Sequence, residues 1–171
     1  ENTQAYAQGY RDICQIGRDR IIRAGEKIKT ETNADIDYGF RVFNVDDTNM
    51  KDIYYSPEEY DQNLLLFLEY NIKSDRTELD LLFGCVLEWG LPLSLPYKSL
   101  VIDGCSIHDY NDGELIACFS ERIPDSVVKA VAKRRPLRAV FRDGSFPDSP
   151  AKLNVTEIFK QLSPDTRIKV I

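Results

Sequence analysis

The side chains best suited to chemistry in this 171-residue chain are cations gathered near one end. Lys129, Lys133, Arg134, Arg135, Arg138 and Arg142 run across a helix end and the strand after it, a density suited to phosphate oxygens or an acidic protein surface. A helix dipole alone favours cations at such an end, by about 0.3 to 1 kcal/mol each, so a solvated terminus would carry the same residues. Other catalytic ingredients are sparse. The single histidine, His108, would have to serve any Ser-His-Asp or Cys-His triad, and its neighbours read as an exposed hairpin strand. None of the ten lysines follows Asp or Glu by two positions, which removes the simplest arrangement of a metal-dependent nuclease. Asp143-Gly144-Ser145 holds one glycine and reads as a turn, so no glycine-rich phosphate loop is present.

Cys14, Cys85, Cys105 and Cys118 lie far apart, without a Cys-x-x-Cys pair, each inside an apolar run. That pattern predicts reduced, buried thiols and a cytoplasmic protein. Cys105, His108 and Cys118 lack a fourth zinc ligand at finger-like spacing, so no metal is expected. Ser94-Leu95-Pro96-Tyr97 has the outline of the Asp/Asn/Ser-Pro-Pro-Tyr tetrad that holds a flipped base's amine. Leu95 replaces the first proline, and the geometry is not encoded. Glu1-Asn2-Thr3-Gln4 has neither the basic nor the apolar region of a signal peptide. No apolar stretch approaches the roughly 20 residues of a membrane-spanning helix. A start without Met, on a helical pattern, leads us to expect that the chain begins inside a longer protein.

Regular elements must hold these side chains. Tyr10, Ile13, Cys14, Gly17, Ile21, Ala24 and Ile28 recur at helical spacing, with Gly17 and Gly25 suggesting close packing. Gly39 to Val45 reads as a strand. Ser56-Pro57-Glu58-Glu59 predicts a capped helix leading into Leu64 to Leu68. A second box, Asp75-Arg76-Thr77-Glu78, opens a helix that Gly90 stops. Beyond Pro92 and Pro96, Ser99–Ile102, Cys105–Tyr110 and Glu114–Phe119 form a meander turned by Asp103-Gly104 and Asn111-Asp112-Gly113. A helix from Asp125 to Lys133, a strand from Leu137 to Phe141, a helix through Val155, Ile158, Phe159 and Leu162, and a strand from Arg167 to Ile171 complete the chain. The expected class is α/β (α+β mixed): a small mixed sheet with an antiparallel meander and a parallel βαβαβ unit, preceded by a helical segment.

Composition fits such a domain: 43% of residues are hydrophobic and 29% charged, which excludes a disordered tail and a collagenous repeat. The net charge of -6 hides a division. Residues 1–45 carry seven basic and seven acidic side chains, residues 46–125 carry five and 17, and residues 126–171 carry ten and four. An acidic middle joined to a basic end remains compatible with a polyanionic partner despite the total.

Five segments taken in order carry a resemblance. They are Ile16-Gly17-Arg18-Asp19-Arg20-Ile21-Ile22-Arg23-Ala24-Gly25-Glu26-Lys27-Ile28 and Gly39-Phe40-Arg41-Val42-Phe43, followed by Asn71-Ile72-Lys73-Ser74-Asp75-Arg76-Thr77-Glu78-Leu79-Asp80-Leu81-Leu82-Phe83. Then come Pro136-Leu137-Arg138-Ala139-Val140-Phe141-Arg142-Asp143-Gly144-Ser145-Phe146 and Ile158-Phe159-Lys160-Gln161-Leu162-Ser163-Pro164. Over essentially the whole chain this series resembles the C-terminal portion of the modification subunit of type III restriction-modification systems, an adenine-specific DNA methyltransferase of bacteria.

The resemblance implies that residues 1–50 are the last helix and strand of the methyltransferase core, 51–95 a helical segment and 96–171 a C-terminal α/β domain. It implies an S-adenosylmethionine-dependent parent whose Asp-Pro-Pro-Tyr tetrad and Phe-x-Gly-x-Gly loop lie upstream. No catalytic, cofactor or metal residue therefore transfers to this chain, and the chain by itself is expected to be inactive. Implied partners are the upstream core of the same chain, a second modification subunit in a homodimer, a restriction subunit and duplex DNA. Two other readings stand beside it: a DNA-binding module acting through Lys129 to Arg142, and an autonomous small α/β hydrolase, for which no nucleophile, base and oxyanion set can be assembled.

Overall fold

The computed structural model describes residues 4–51 and 71–171, and the chain divides into two compact units, Glu1–Val45 and Asp46–Ile171. The helix expected from Ser56 into Leu64 to Leu68 lies outside the described residues. No described helix is long and apolar enough to cross a membrane.

The first unit holds α1 (Gln4–Ala7) and α2 (Ile13–Thr32). Asp12 caps α2 by accepting from Gln15 N at 2.7 Å. Asn33, at φ 48°, ends it by donating its N–H to Lys29 O. Gly25 faces Tyr38, whose carbonyl oxygen would lie 3.8 Å from an added Cβ, whereas nothing among the described residues approaches Gly17. No residue of α2 is buried. Among the described residues the expected strand from Gly39 to Val45 belongs to no ladder, and Phe40, Val42, Phe43 and Val45 are all exposed. Strand composition alone does not make a ladder, which also needs a neighbouring strand in register.

The second unit is built on a five-stranded sheet in the order β1-β2-β3-β4-β5, with β1 Tyr97–Ile102, β2 Cys105–Tyr110, β3 Leu115–Cys118, β4 Arg138–Phe141 and β5 Arg167–Val170. The first three strands are antiparallel. Asp103 and Gly104 both take positive φ, 47° and 80°, as a two-residue hairpin requires, so Ile102 meets Cys105 directly. β3, β4 and β5 run parallel through crossover helices α4 (Asp125–Lys133) and α5 (Ser149–Leu162). The class is therefore the α/β one expected from the sequence, and the strand order is sequential.

Period-two alternation sorts the sheet into two faces. On one, Cys105, Ile107, Ile116, Cys118, Ala139 and Phe141 pack against Val127, Val128 and Val131 of α4 and Val155, Ile158 and Phe159 of α5. On the other, Tyr110, Leu115, Ala117, Phe119 and Val140 pack against α3 (Glu78–Glu88) through Leu81, Leu82, Cys85 and Val86. Each fully buried Val, Leu, Ile or Phe among them contributes about 1.5 to 3 kcal/mol. α3 starts two residues later than a cap at Asp75 would place it. Thr77 accepts from Asp80 N, and Asp80 Oδ2 in return accepts from Thr77 N at 2.7 Å. These bonds from the Thr77 backbone and hydroxyl hold the Asp80 carboxyl below the usual carboxylate range.

Three of the four cysteines are buried as expected, while Cys14 is exposed on α2. Burial pushes the Cys85 and Cys118 thiols up to about 11. Cys105 Sγ donates to Arg122 O at 3.2 Å. In the native protein we expect one thiol, Cys14, to react with Ellman's reagent promptly and three to react only after denaturant is added. Two or more prompt thiols would contradict this packing.

The basic end of the sheet as candidate functional site

The candidate cations start from α4, whose Val127, Val128, Val131 and Ala132 form a buried stripe and turn Lys129 and Lys133 outward. Pro136 cannot continue a helix. The helix closes at Arg134, whose N–H reaches Val131 O at 3.0 Å, and at Arg135, whose N–H reaches Ala132 O at 3.0 Å. Arg135 sits at φ 50°. Among the described residues, the other non-glycine positions with positive φ are Asn33, Asp103, Asn111 and Asp112, types that tolerate this region. Arginine does not share that tolerance, and the left-handed conformation costs it on the order of 1 kcal/mol.

The loop after α4 is clamped from both sides. Leu137 N donates to Gly113 O at 2.8 Å, and Arg167 N donates to Leu137 O at 3.0 Å. Thr166 Oγ1 donates to Pro136 O at 2.6 Å. With its one proton thus committed, Thr166 must accept from Ser163 Oγ, 2.7 Å away. Ser163 and Thr166 are both buried. The amino ends of β4 and β5 are thereby locked into one surface.

Of the six cations singled out in the sequence, the structure brings four to this surface as exposed groups: Lys129, Lys133, Arg134 and Arg135. Arg134 is partly engaged, with Nη1 3.3 Å from Asp109 Oδ2. Arg138 turns into the α3 face, its guanidinium 5.7 Å from the Trp89 ring centroid and its Nη1 3.5 Å from Glu114 Oε1. Arg142 follows the far end of β4, about 13 Å along the strand from Arg138. Its Nε is buried without a hydrogen-bond partner among the described residues. The six therefore do not form one cluster, because Arg138 turns toward Trp89 and the strand carries Arg142 away from the helix-end cations.

Sequence reasoning missed Arg167. It lies exposed beside Arg138 in the parallel register of β4 and β5. The available signal was the alternation of Arg167 and Lys169 in the last strand, which matches that of Arg138, Val140 and Arg142. Lys169 is paired with Glu88 at the end of α3.

His108 requires a correction. It is buried, not exposed: Nε2–H donates to Glu78 Oε2 at 3.0 Å, and the Tyr97 and Phe119 rings lie 6.2 Å away on either side. α3 covers this face of the hairpin and brings Glu78 across 30 residues of sequence. Cys105 and Cys118 point to the opposite face, into the α4 and α5 core, so these three side chains cannot converge on a metal. Among the described residues no group of His, Cys, Asp and Glu is arranged to hold a metal ion. In comparisons with known proteins, no family model matches the chain, and no curated protein matches it.

Proposed function

We propose that this chain is the non-catalytic C-terminal part of a cytoplasmic type III restriction-modification adenine-N6 methyltransferase, serving assembly and contact with the DNA backbone. Its support in sequence is the series of five segments, which together span both units. Its support in structure is the clamped basic loop at the amino ends of β4 and β5, where exposed cations stand on a rigid frame. Phosphate contacts of this kind fix the register of a protein on a duplex without reading bases, which suits a region that carries no target recognition. S-adenosylmethionine and the flipped adenine would be held upstream, and the homodimer and restriction subunit would be met by the whole modification subunit.

The gene supplies a direct test. The coding sequence ahead of Glu1 is expected to encode a Phe-x-Gly-x-Gly loop and an Asp-Pro-Pro-Tyr tetrad. If both are missing, the methyltransferase reading fails. A second reading, a module that grips DNA on its own account, is favoured by Lys129, Lys133 and Arg135, which have no acidic partner among the described residues.

A further inference from the structure

We infer that β1 is a docking edge for the β1 of a second copy of this chain, the two strands pairing antiparallel about Ser99 into one continuous sheet. The inference stands on the sheet alone and names a surface that the function proposed above does not.

The edge is open. Asp103 and Gly104 form a two-residue turn, so Ile102 and Cys105 exchange hydrogen bonds, and the ladder alternates from there through Leu100 with Ile107 and Lys98 with Asp109. Two further bonds fix the phase of this alternation. Pro96 O accepts from Asn111 N at 2.8 Å, and Ser106 N turns away from β1 to donate to Ser120 Oγ at 3.1 Å. The N–H and C=O groups of Tyr97, Ser99 and Val101 therefore point out of the sheet, and nothing among the described residues bonds them. Ser99 and Val101 are exposed, Val101 at 72%.

Proteins ordinarily blunt such an edge with a short strand, cations, proline or a bulge. β5, at the other edge, has four residues, among them Arg167 and Lys169. β1 has six residues in unbroken register, and its one charged side chain, Lys98, is held by Asp112 Oδ1 at 2.8 Å. The edge left unguarded is the longer one.

The side chains choose the partner and the register. With Ser99 opposite Ser99 of the second copy, Tyr97 falls opposite Val101 of that copy and Val101 opposite its Tyr97. All three outward positions then face outward positions, and each facing pair can exchange two backbone hydrogen bonds. The exposed valine gains an aromatic neighbour on the α3 side, a favourable cross-strand pair, and Lys98 faces Leu100 of the second copy. Sliding by two residues in one direction sets Lys98 against Lys98, which like charge disfavours. Sliding the other way sets Tyr97 against Asp103 in the turn and loses one of the three bonded pairs. The favoured register is symmetric about Ser99, so the contact is isologous and closes at two copies.

The test is sedimentation velocity of the full chain over a series of micromolar concentrations. The wild type should pass from monomer to dimer as concentration rises. Val101→Lys and Ser99→Pro should remain monomeric throughout. Both should keep the wild-type dichroism and melting midpoint, because Val101 is exposed and the Ser99 N–H has no partner for proline to remove. A second measurement uses cross-linking in a Cys14→Ser background, which removes the exposed native thiol. Ser99→Cys should give a disulfide-linked dimer on mild oxidation, since the two positions face each other at strand spacing. Lys98→Cys, which faces Leu100, should not.

A wild type that stays monomeric, a dimer that survives in both Val101→Lys and Ser99→Pro, or equal cross-linking through Lys98→Cys would overturn the pairing. Growth beyond two copies would also overturn it, as the mark of a heterologous contact such as β1 on β5. None of these outcomes touches the methyltransferase reading, which the motifs upstream of Glu1 decide independently.

Discussion

Phe141→Ala is expected to destabilise the second unit by about 3 to 5 kcal/mol, the largest effect of any single truncation considered for this molecule. Phe141 is fully buried in β4, with its ring edge-on to Phe146 at 6.1 Å and to Phe159 at 6.0 Å. Truncation removes the centre of that trio and leaves a cavity between the sheet, α5 and the loop that follows β4. The surrounding backbone cannot collapse freely, because Asp143 N is held by Ile171 O at 2.7 Å and Ile171 N by Phe141 O at 3.0 Å. In thermal denaturation the midpoint should fall by roughly 10 to 15 °C. A loss under about 1 kcal/mol would mean that this core is not packed as described.

Leu82→Ala should cost about 2 to 5 kcal/mol on the other face of the sheet. Leu82 is fully buried in α3 and belongs to the core shared with Tyr110, Leu115, Ala117, Phe119 and Val140. The informative part of this variant is its cooperativity. Trp89, the only tryptophan, caps the end of α3, so its fluorescence reports α3, while far-ultraviolet circular dichroism reports all the helices and strands. If α3 and the sheet are one cooperative body, both signals move together to a lower midpoint in the variant. An early fluorescence transition followed by a later one in the dichroism would show that α3 detaches alone, and the shared core would be wrong.

Much of the second unit was legible in the sequence because its signals are local. Asp103-Gly104 specifies a tight hairpin whatever surrounds it, and the valine stripe of α4 between Asp125 and Pro136 needs no tertiary information. The α3 start was displaced by two residues because Asp75, Thr77, Glu78 and Asp80 hold two overlapping capping patterns, and the reciprocal pair that forms is Thr77 with Asp80. What escaped was non-local. Gly39 to Val45 has strand composition, but composition does not supply a neighbouring strand. His108 alternates like an exposed residue, and only the docking of α3 buries it against Glu78. The basic run misled for a related reason: nearness in sequence is nearness in space on a helix turn, and separation along a strand. Arg167 lies far off in sequence and adjacent in the parallel register.

We propose that methyl-transfer chemistry belongs to an upstream part of a longer protein and that this chain supports it. Calorimetric titration with S-adenosylmethionine tests it most directly, performed on the 171-residue chain and on the same chain extended upstream through the gene. We expect no saturable binding by the chain itself and saturable binding by the extended protein. Saturable binding by the chain alone, or none by the extended protein, would contradict it.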